Sequence, residues 1–573
     1  MRWHEVKSGE YIMEISDIAR MILKDRYLLK NEKGETIETP EDLFRRVANS
    51  VCEVETKRFE EIQSCTEEIY DAMVNLKFLP NSPTLMNAGT TMGQLSACFV
   101  LPVHDSIEGI FDAVKFMAQI HKSGGGTGFS FSELRPKGDI IHSTMGTSSG
   151  PLSFMSVFDA TTNAITQGGK RRGANMGILD VNHPDIEEFI EAKSTGNILK
   201  NFNLSVAITD EFMEAVKNNT DFPLINPRTM KVVKTVLASD LFDKIATSAW
   251  QSGDPGLVFI DEINRRNPTP QLGLIKSTNP CGEVPLYNFE SCNLGSINLT
   301  KVVKDGAIDW EQLRLLVDLG VRFLDDVIDA NKYPLADIDM ATKLNRKIGL
   351  GVMGFADMLI LLGIKYSDKQ TLDIADQVMK FIQDEADKTS IALGLERGSF
   401  PNFIHSIYKD QVEAMRNATR TAIAPTGTIS LIAGVSSGIE PIFSVYHKRE
   451  ISEHGEVEYF HPLFVTQLKE RDLDVDRILD EVKELKSIDV PGVPDDLKEL
   501  YVTAFDVEPD WHIEIQAAFQ KFVDNSVSKT INLPETATVE DVKRCFFKAY
   551  ELKTKGITIY RYNSQGGQVL NLE

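Results

Sequence analysis

The segment Ser277-Thr278-Asn279-Pro280-Cys281-Gly282-Glu283 sets an amide, a thiol and a carboxylate at alternating positions. In an extended segment these three side chains point to one side, with Pro280 stiffening the bend and Gly282 letting a ligand approach the backbone. An amide that donates and accepts, a carboxylate that takes protons and a thiol that exchanges a hydrogen atom suit chemistry on vicinal hydroxyls such as a sugar diol. A plain loop that buries a cysteine has the same sequence. Cys292, in Ser291-Cys292-Asn293-Leu294-Gly295-Ser296, and Cys98, in the apolar run Ser96-Ala97-Cys98-Phe99-Val100-Leu101, lie in strand-like contexts. Each is either a packed hydrophobe or one half of a redox pair that closes in space. Three cysteines in one site would serve a reaction that consumes two electrons per turnover.

Two glycine-rich loops follow another logic. In Lys122-Ser123-Gly124-Gly125-Gly126-Thr127-Gly128 the glycines let backbone amides approach a ligand. In Ala424-Pro425-Thr426-Gly427-Thr428-Ile429-Ser430 the N–H groups and hydroxyls can cradle a diphosphate. Neither is a Walker loop, because no G-K-[ST] follows, and tight turns account for each equally well. A third loop, Gln167-Gly168-Gly169-Lys170-Arg171-Arg172-Gly173, gathers three cations in an acidic protein, which favours contact with an anion. His447, His454 and His461 recur every seven residues, but no H-x-x-x-H or H-E-x-x-H occurs and no cysteine cluster completes a zinc site. No structural metal is expected.

The elements that hold these residues read as two textures. Over roughly the first 80 residues the pattern is helical: Thr39-Pro40-Glu41-Asp42 is a capping box with proline at the first helical position, and Leu43, Val47 and Val51 follow at helical spacing. From Gln94 onward short apolar runs such as Gly256-Leu257-Val258-Phe259-Ile260 alternate with amphipathic helical segments, which predicts a mainly parallel α/β core. The acidic stretch from Glu450 to Asp510 reads as solvated helices and turns.

Composition narrows the classes. The chain has 573 residues with 61 Lys+Arg against 84 Asp+Glu, a net charge of −23, which disfavours nucleic acid or an anionic membrane as partner. Six cysteines without a C-x-x-C pair exclude a disulfide framework. The start carries acids and no signal-peptide core. The most apolar stretch, Gly349 to Ile364, is interrupted by Asp357 and is too short to span a bilayer, so a cytoplasmic location is expected.

Taken together, Asn81-Ser82-Pro83-Thr84-Leu85, Ser96-Ala97-Cys98, Asn279-Pro280-Cys281-Gly282-Glu283, Cys292 and Pro425-Thr426-Gly427-Thr428-Ile429-Ser430 closely resemble, in order, the catalytic chain of a ribonucleotide reductase. Gly349-Leu350-Gly351-Val352-Met353-Gly354-Phe355-Ala356-Asp357 and Ser436-Ser437-Gly438-Ile439-Glu440-Pro441 extend the resemblance, which is greatest to the dimeric, adenosylcobalamin-dependent class II branch. The resemblance implies a ten-stranded α/β barrel with a central finger loop bearing Cys281. A helical region over 1–90, without an ATP cone, would precede a catalytic domain over 91–573.

The resemblance also implies roles. Cys281 would become a thiyl radical and abstract the 3′-hydrogen of a ribonucleoside diphosphate, Glu283 would take the 3′-hydroxyl proton, and Asn279 would bond the sugar. Cys98 and Cys292 would supply the reducing equivalents and finish as a disulfide. Thr84, Ala97, Cys98, Gly126, the stretch from Asn279 to Glu283 including Pro280 and Gly282, and Pro425, Thr426, Gly427, Thr428 and Ile429 would hold the nucleotide. A deoxynucleoside triphosphate effector would sit against Asp105, Ser106, Ile107, Lys122, Arg135, His142 and Ser143, at the interface of a homodimer, with the loop from Gln167 to Gly173 relaying its identity.

Some features depart from neighbouring branches. The end reads Gly556-Ile557-Thr558-Ile559-Tyr560-Arg561-Tyr562, so the adjacent tyrosine pair of class I chains is absent, and no glycyl-radical motif follows. Cobalamin is therefore inferred by subtraction, since Asp510-Trp511-His512 does not complete a D-x-H-x-x-G motif. The alternative is a class I-type subunit whose radical comes from a separate metal-containing subunit. A nucleotide-binding protein without catalysis would need none of the three thiols. With no cysteine-bearing tail after Val569, a thioredoxin-like protein or small dithiol would reduce Cys98 and Cys292 directly, unless the chain is truncated. Cys52, Cys65 and Cys545 have no matching role and read as structural.

Overall fold

The computed structural model describes residues 13, 15–55, 59–141, 145–167, 171–196, 198–451, 455–504 and 506–564. Three helices come first: α1 (Asp17–Arg26), α2 (Pro40–Cys52) and α3 (Phe59–Val74). The predicted capping box is present, with Thr39 Oγ1 accepting from the Asp42 N–H at 3.1 Å and Asp42 accepting from the Thr39 N–H at 3.0 Å. Leu43, Val47 and Val51 are fully buried.

The remainder is built on ten strands: β1 (Phe78–Pro80), β2 (Cys98–Val100), β3 (Gly126–Ser130), β4 (Asn175–Asp180), β5 (Phe202–Ile208), β6 (Gly256–Phe259), β7 (Ser291–Asn298), β8 (Ile348–Met353), β9 (Thr530–Leu533) and β10 (Gly556–Arg561). Strands β2 to β6 pair in sequence order, all parallel. β6 pairs antiparallel with β10, and β10 runs parallel to β9. On the other side β2 pairs antiparallel with β7, which runs parallel to β8. The gap between β8 and β9 is filled by an extended segment around Thr421 and Ile423, bridged in parallel to Leu350 and to Val527.

The sheet thus closes into an α/β barrel of two five-membered parallel sets that oppose each other. This matches the ten-stranded expectation with one difference: the segment around 421–423 is one of the ring's ten members, while β1 lies further along the β7 edge that β2 occupies. Closure pairs both edges of the ring's own strands.

The helical part docks through polar contacts of long sequence range. Tyr27 Oη lies 2.7 Å from Ser82 Oγ, and the Asn81 side chain accepts from the Leu294 N–H at 2.8 Å while donating to the Leu95 carbonyl at 2.9 Å. Glu55 pairs with Arg322 on helix α5 (Trp310–Ala330) and Arg397 on helix α6 (Lys369–Arg397). Among the described residues no helix is long and apolar enough to cross a membrane. The acidic stretch after Glu450 contains helices Pro462–Glu470, Val475–Leu485 and Asp495–Leu500, as expected, but each sends residues inward, among them Phe464, Val482 and Leu497.

Candidate active site

The chain between β6 and β7 turns back on itself inside the barrel. Ser277–Thr278 pairs antiparallel with Pro285–Leu286, and the tip between them carries Asn279 to Val284. The Gly282 N–H donates to the Asn279 carbonyl at 3.1 Å, closing a β-turn with Pro280 second and Gly282, at φ +81°, fourth. This corrects the sequence-based picture of an extended strip. Asn279, Cys281 and Glu283 are brought together by a turn, and they do not share one environment: Asn279 and Glu283 are buried, whereas Cys281 is exposed.

The tip is fixed from several elements. Asn203 on β5 donates from Nδ2 to the Pro280 carbonyl at 2.8 Å, the Ser526 N–H donates to the Glu283 carbonyl at 2.8 Å, and the Val284 N–H donates to Asn279 Oδ1 at 3.0 Å. Strand β3 lies so close that a Cβ on Gly128 would stand 1.7 Å from the Thr278 carbonyl oxygen, and one on Gly126 would press on the Pro280 ring at 2.8 Å. These glycines serve the approach of the finger as well as any ligand.

Cys98 and Cys292 are directly opposed across the antiparallel β2–β7 pair. Opposed residues have Cα atoms about 4.5–5.5 Å apart with side chains on one face, inside the roughly 4.4–6.8 Å range that a disulfide spans. Asn279 Nδ2 donates to Cys98 Sγ at 3.1 Å and to Glu283 Oε2 at 2.7 Å, linking thiol, amide and carboxylate.

Burial sets the proton affinities. The Glu283 carboxyl is pushed up to about 7 by loss of solvent, against the opposing hydrogen bond from Asn279. Burial, followed by the nearby Glu283, holds the Cys98 thiol well above its ordinary value. Cys292 is likewise raised by burial, opposed by Lys347, whose ammonium pairs with Glu290 at 2.7 Å in the interior. Both cysteines therefore rest as neutral thiols, and Glu283 is poised near neutrality as a base.

Two cavities meet at the finger tip. One, of about 240 Å³, is lined by Ala97, Cys98, Gly126, Asn279, Pro280, Cys281, Glu283 and the loop Pro425, Thr426, Gly427, Thr428 and Ile429, all flagged from sequence. Asn81, Ser82, Pro83, Gly124, Ala174, Leu294 to Ser296 and Ala424 complete it and are not among the nucleotide contacts that the resemblance implies. Two flagged residues lie elsewhere. Thr84 is fully buried with its hydroxyl donating to the Leu95 carbonyl at 2.9 Å, and Gly282 faces the second cavity. That second cavity, of about 370 Å³, is lined by Cys281 together with Asn203, Ser528, Lys529, Thr558 and Tyr560. Along β10, Ile557 and Ile559 pack into the core, so the alternation turns Thr558 and Tyr560 the other way, while Arg561 stacks over Trp250. His512 is fully buried, with Nδ1 against the Lys529 ammonium at 2.9 Å and Nε2 against the Ala504 carbonyl at 3.2 Å.

Of the expected effector residues, Asp105 and Arg135 form an ion pair at 2.9 Å, and Ser106 caps helix α4 (Ile107–Lys122) by accepting from the Gly109 N–H at 3.0 Å. Ile107 is exposed beside them. Lys122 closes the far end of α4, about 24 Å away at 1.5 Å per residue, so one protomer does not bring it to the others. His142 and Ser143 lie outside the described residues, as do 168–170 of the cationic loop. Its flanks pair as a short hairpin, Thr166 with Arg172 and Gln167 with Arg171.

Comparison with known proteins agrees with this geometry. The family model for the ribonucleotide reductase barrel domain matches residues 96–415 and 408–560, and that for the ribonucleotide reductase all-alpha domain matches residues 13–93. The chain is 48% identical to the vitamin B12-dependent ribonucleoside-diphosphate reductase of Thermoplasma acidophilum, an alignment covering 96% of this chain and 79% of that protein. It is 46% identical to the vitamin B12-dependent ribonucleoside-diphosphate reductase of Mycobacterium tuberculosis H37Rv, over 98% of this chain and 79% of that protein. A ribonucleoside-diphosphate reductase subunit alpha from Chlamydia pneumoniae is 30% identical, over 90% of this chain and 56% of that protein. With both family domains matched and relatives near one-half identity over nearly all of this chain, the chain belongs to the ribonucleotide reductase family.

Proposed function

We propose that this chain reduces ribonucleoside diphosphates to 2′-deoxyribonucleoside diphosphates for DNA synthesis, with adenosylcobalamin as cofactor. The observation that carries the reading is the position of Cys281, exposed at the finger tip where two cavities meet, with Cys98, Asn279 and Glu283 lining one of the two only.

The second cavity fits the nucleoside end of such a cofactor. It is in the size range of small-ligand sites, and Asn203, Ser528, Thr558 and Tyr560 offer hydrogen-bonding groups there. His512 is held by Lys529 and Ala504 and is not available to a metal, which agrees with a cofactor that needs no protein histidine. When bound, adenosylcobalamin supplies one-electron radical chemistry.

The protein's own groups do the rest. Cys281, as a thiyl radical, takes the 3′-hydrogen of the ribose, and Glu283 accepts the 3′-hydroxyl proton with Asn279 orienting both. Cys98, which lines the substrate cavity, delivers a proton to the departing 2′-hydroxyl. Cys281 then returns the hydrogen to C3′ and is a thiyl radical again, so the balance is one ribonucleotide and two thiols to one deoxyribonucleotide, one water and the Cys98–Cys292 disulfide. The loop from Pro425 to Ile429 holds the phosphates through backbone N–H groups. A thioredoxin-like or small dithiol reopens the disulfide. A deoxynucleoside triphosphate effector binds against Asp105, Ser106, Ile107, Lys122, Arg135, His142 and Ser143 at the interface of a cytoplasmic homodimer.

The test is anaerobic conversion of a ribonucleoside diphosphate with dithiothreitol and effector, with and without adenosylcobalamin, in wild type and Cys281→Ala. Product that requires both the cofactor and Cys281 is expected. Product formed without the cofactor, or by the Cys281→Ala chain, overturns the reading.

A further inference from the structure

Two cysteines without a part in the proposed chemistry are neighbours. Cys52 is the last residue of α2 and is fully buried, while Cys65 lies in the second turn of α3 and is partly exposed. Their sulfurs stand 3.5 Å apart, thirteen residues from each other in sequence. A disulfide places sulfurs about 2.05 Å apart, so closure asks for about 1.5 Å of movement, within reach of side-chain rotation at one thiol. The connection they would close contains Glu55, which is 5% exposed and pairs with Arg322 and Arg397 on α5 and α6. The same stretch of chain therefore carries the thiol pair and the ion pair that docks the helical part onto helices of the barrel.

We infer that Cys52 and Cys65 form a second, reversible dithiol–disulfide couple, separate from Cys98 and Cys292, that locks α2 to α3 when a low-molecular-weight disulfide is in excess. The partly exposed Cys65 attacks one sulfur of the reagent, whose S–S bond breaks and whose other half leaves as a thiol after taking a proton. Cys52 then attacks the Cys65 sulfur of the mixed disulfide, and the second half leaves in the same way. Two protein thiols lose two electrons and two protons, and one small disulfide becomes two thiols. The cross-link restricts the unfolded chain around Glu55, so the oxidised form resists heat better than the reduced form.

The test uses the full chain, reduced, desalted and incubated with excess oxidised glutathione, then alkylated, digested and mapped by mass spectrometry. The expected result is that the Cys52 and Cys65 peptides leave the alkylated pool together and reappear as one cross-linked species lighter by two hydrogens. Dithiothreitol should reverse it. Cys52→Ser should strand Cys65 as a glutathione mixed disulfide. The oxidised wild type should melt about 2 °C or more above oxidised Cys65→Ser, which keeps the Cys98–Cys292 pair and so isolates this one. Recovery of both cysteines as alkylated thiols overturns the inference, as does a Cys65 mixed disulfide that persists in wild type with Cys52 still a thiol. Neither readout depends on turnover.

Discussion

Glu283→Gln separates the cost of the buried carboxyl from its use. Folding raises the Glu283 proton affinity from an ordinary value near 4.5 to about 7, chiefly by burial. A carboxyl raised in this way favours the folded state while protonated, a contribution that is complete below about pH 4.5 and is lost as pH rises through about 7. At about 1.4 kcal/mol per tenfold change in proton affinity, the ionised wild type gives up about 3 kcal/mol of stability at pH 8.5 and under about 1 kcal/mol at pH 5. Glutamine keeps an oxygen for the Asn279 amide and never ionises. The variant should therefore melt above wild type by a margin that grows by about 2 °C between pH 5 and pH 8.5, taking the unfolding entropy of a chain this long. Calorimetry at the two pH values measures it, and turnover at pH 8 should fall by about 10²–10⁴ for loss of the base. A melting difference that does not change with pH would refute the burial argument, and retained turnover would remove Glu283 from the chemistry.

Three further outcomes follow from other contacts. Gly128→Ala drives a Cβ into the Thr278 carbonyl, so the finger must shift; a loss of about 1–3 kcal/mol by calorimetry and at least about tenfold in kcat are expected, and normal kcat would show that the finger tolerates displacement. Lys347→Met leaves Glu290 charged and buried without its ammonium, which should cost about 3–5 kcal/mol, while adding Glu290→Gln should recover much of it; equal melting points for single and double variants would count against a buried pair. Enzyme allowed to turn over without added reductant should yield a Cys98–Cys292 peptide cross-link, a result mass spectrometry decides directly, and its absence after product formation would break the assignment of the electron donors.

What the sequence revealed and what it hid divide by the range of the interactions. Cys281 and its neighbours stand within seven residues, so their chemistry could be read from type and spacing. The turn that gathers them could not, because it depends on Asn203 and Ser526 holding the tip from β5 and from the segment that leads into β9. The pairing of Cys98 with Cys292 rests on a register between strands nearly two hundred residues apart, which the family resemblance implied and local pattern did not. The segment around 421–423 makes only single bridges to each neighbour, too little periodicity to read as a strand, yet it closes the ring. The resemblance implies that Thr84 holds the nucleotide; in the structure its hydroxyl donates to the Leu95 carbonyl, while Ser82 of the same motif lines the cavity. Lys122 fell near the other effector residues in sequence, and the straight rise of α4 carries it away from them.

The central claim is that Cys281 passes hydrogen between the two cavities. Its thiol exchanges with solvent, so incubation with adenosylcobalamin and effector in deuterated buffer, without substrate, should place deuterium on the 5′-carbon of the recovered cofactor in wild type and not in Cys281→Ala. Deuterium at that carbon in both chains, or in neither while wild type still makes deoxynucleotide, would contradict the account.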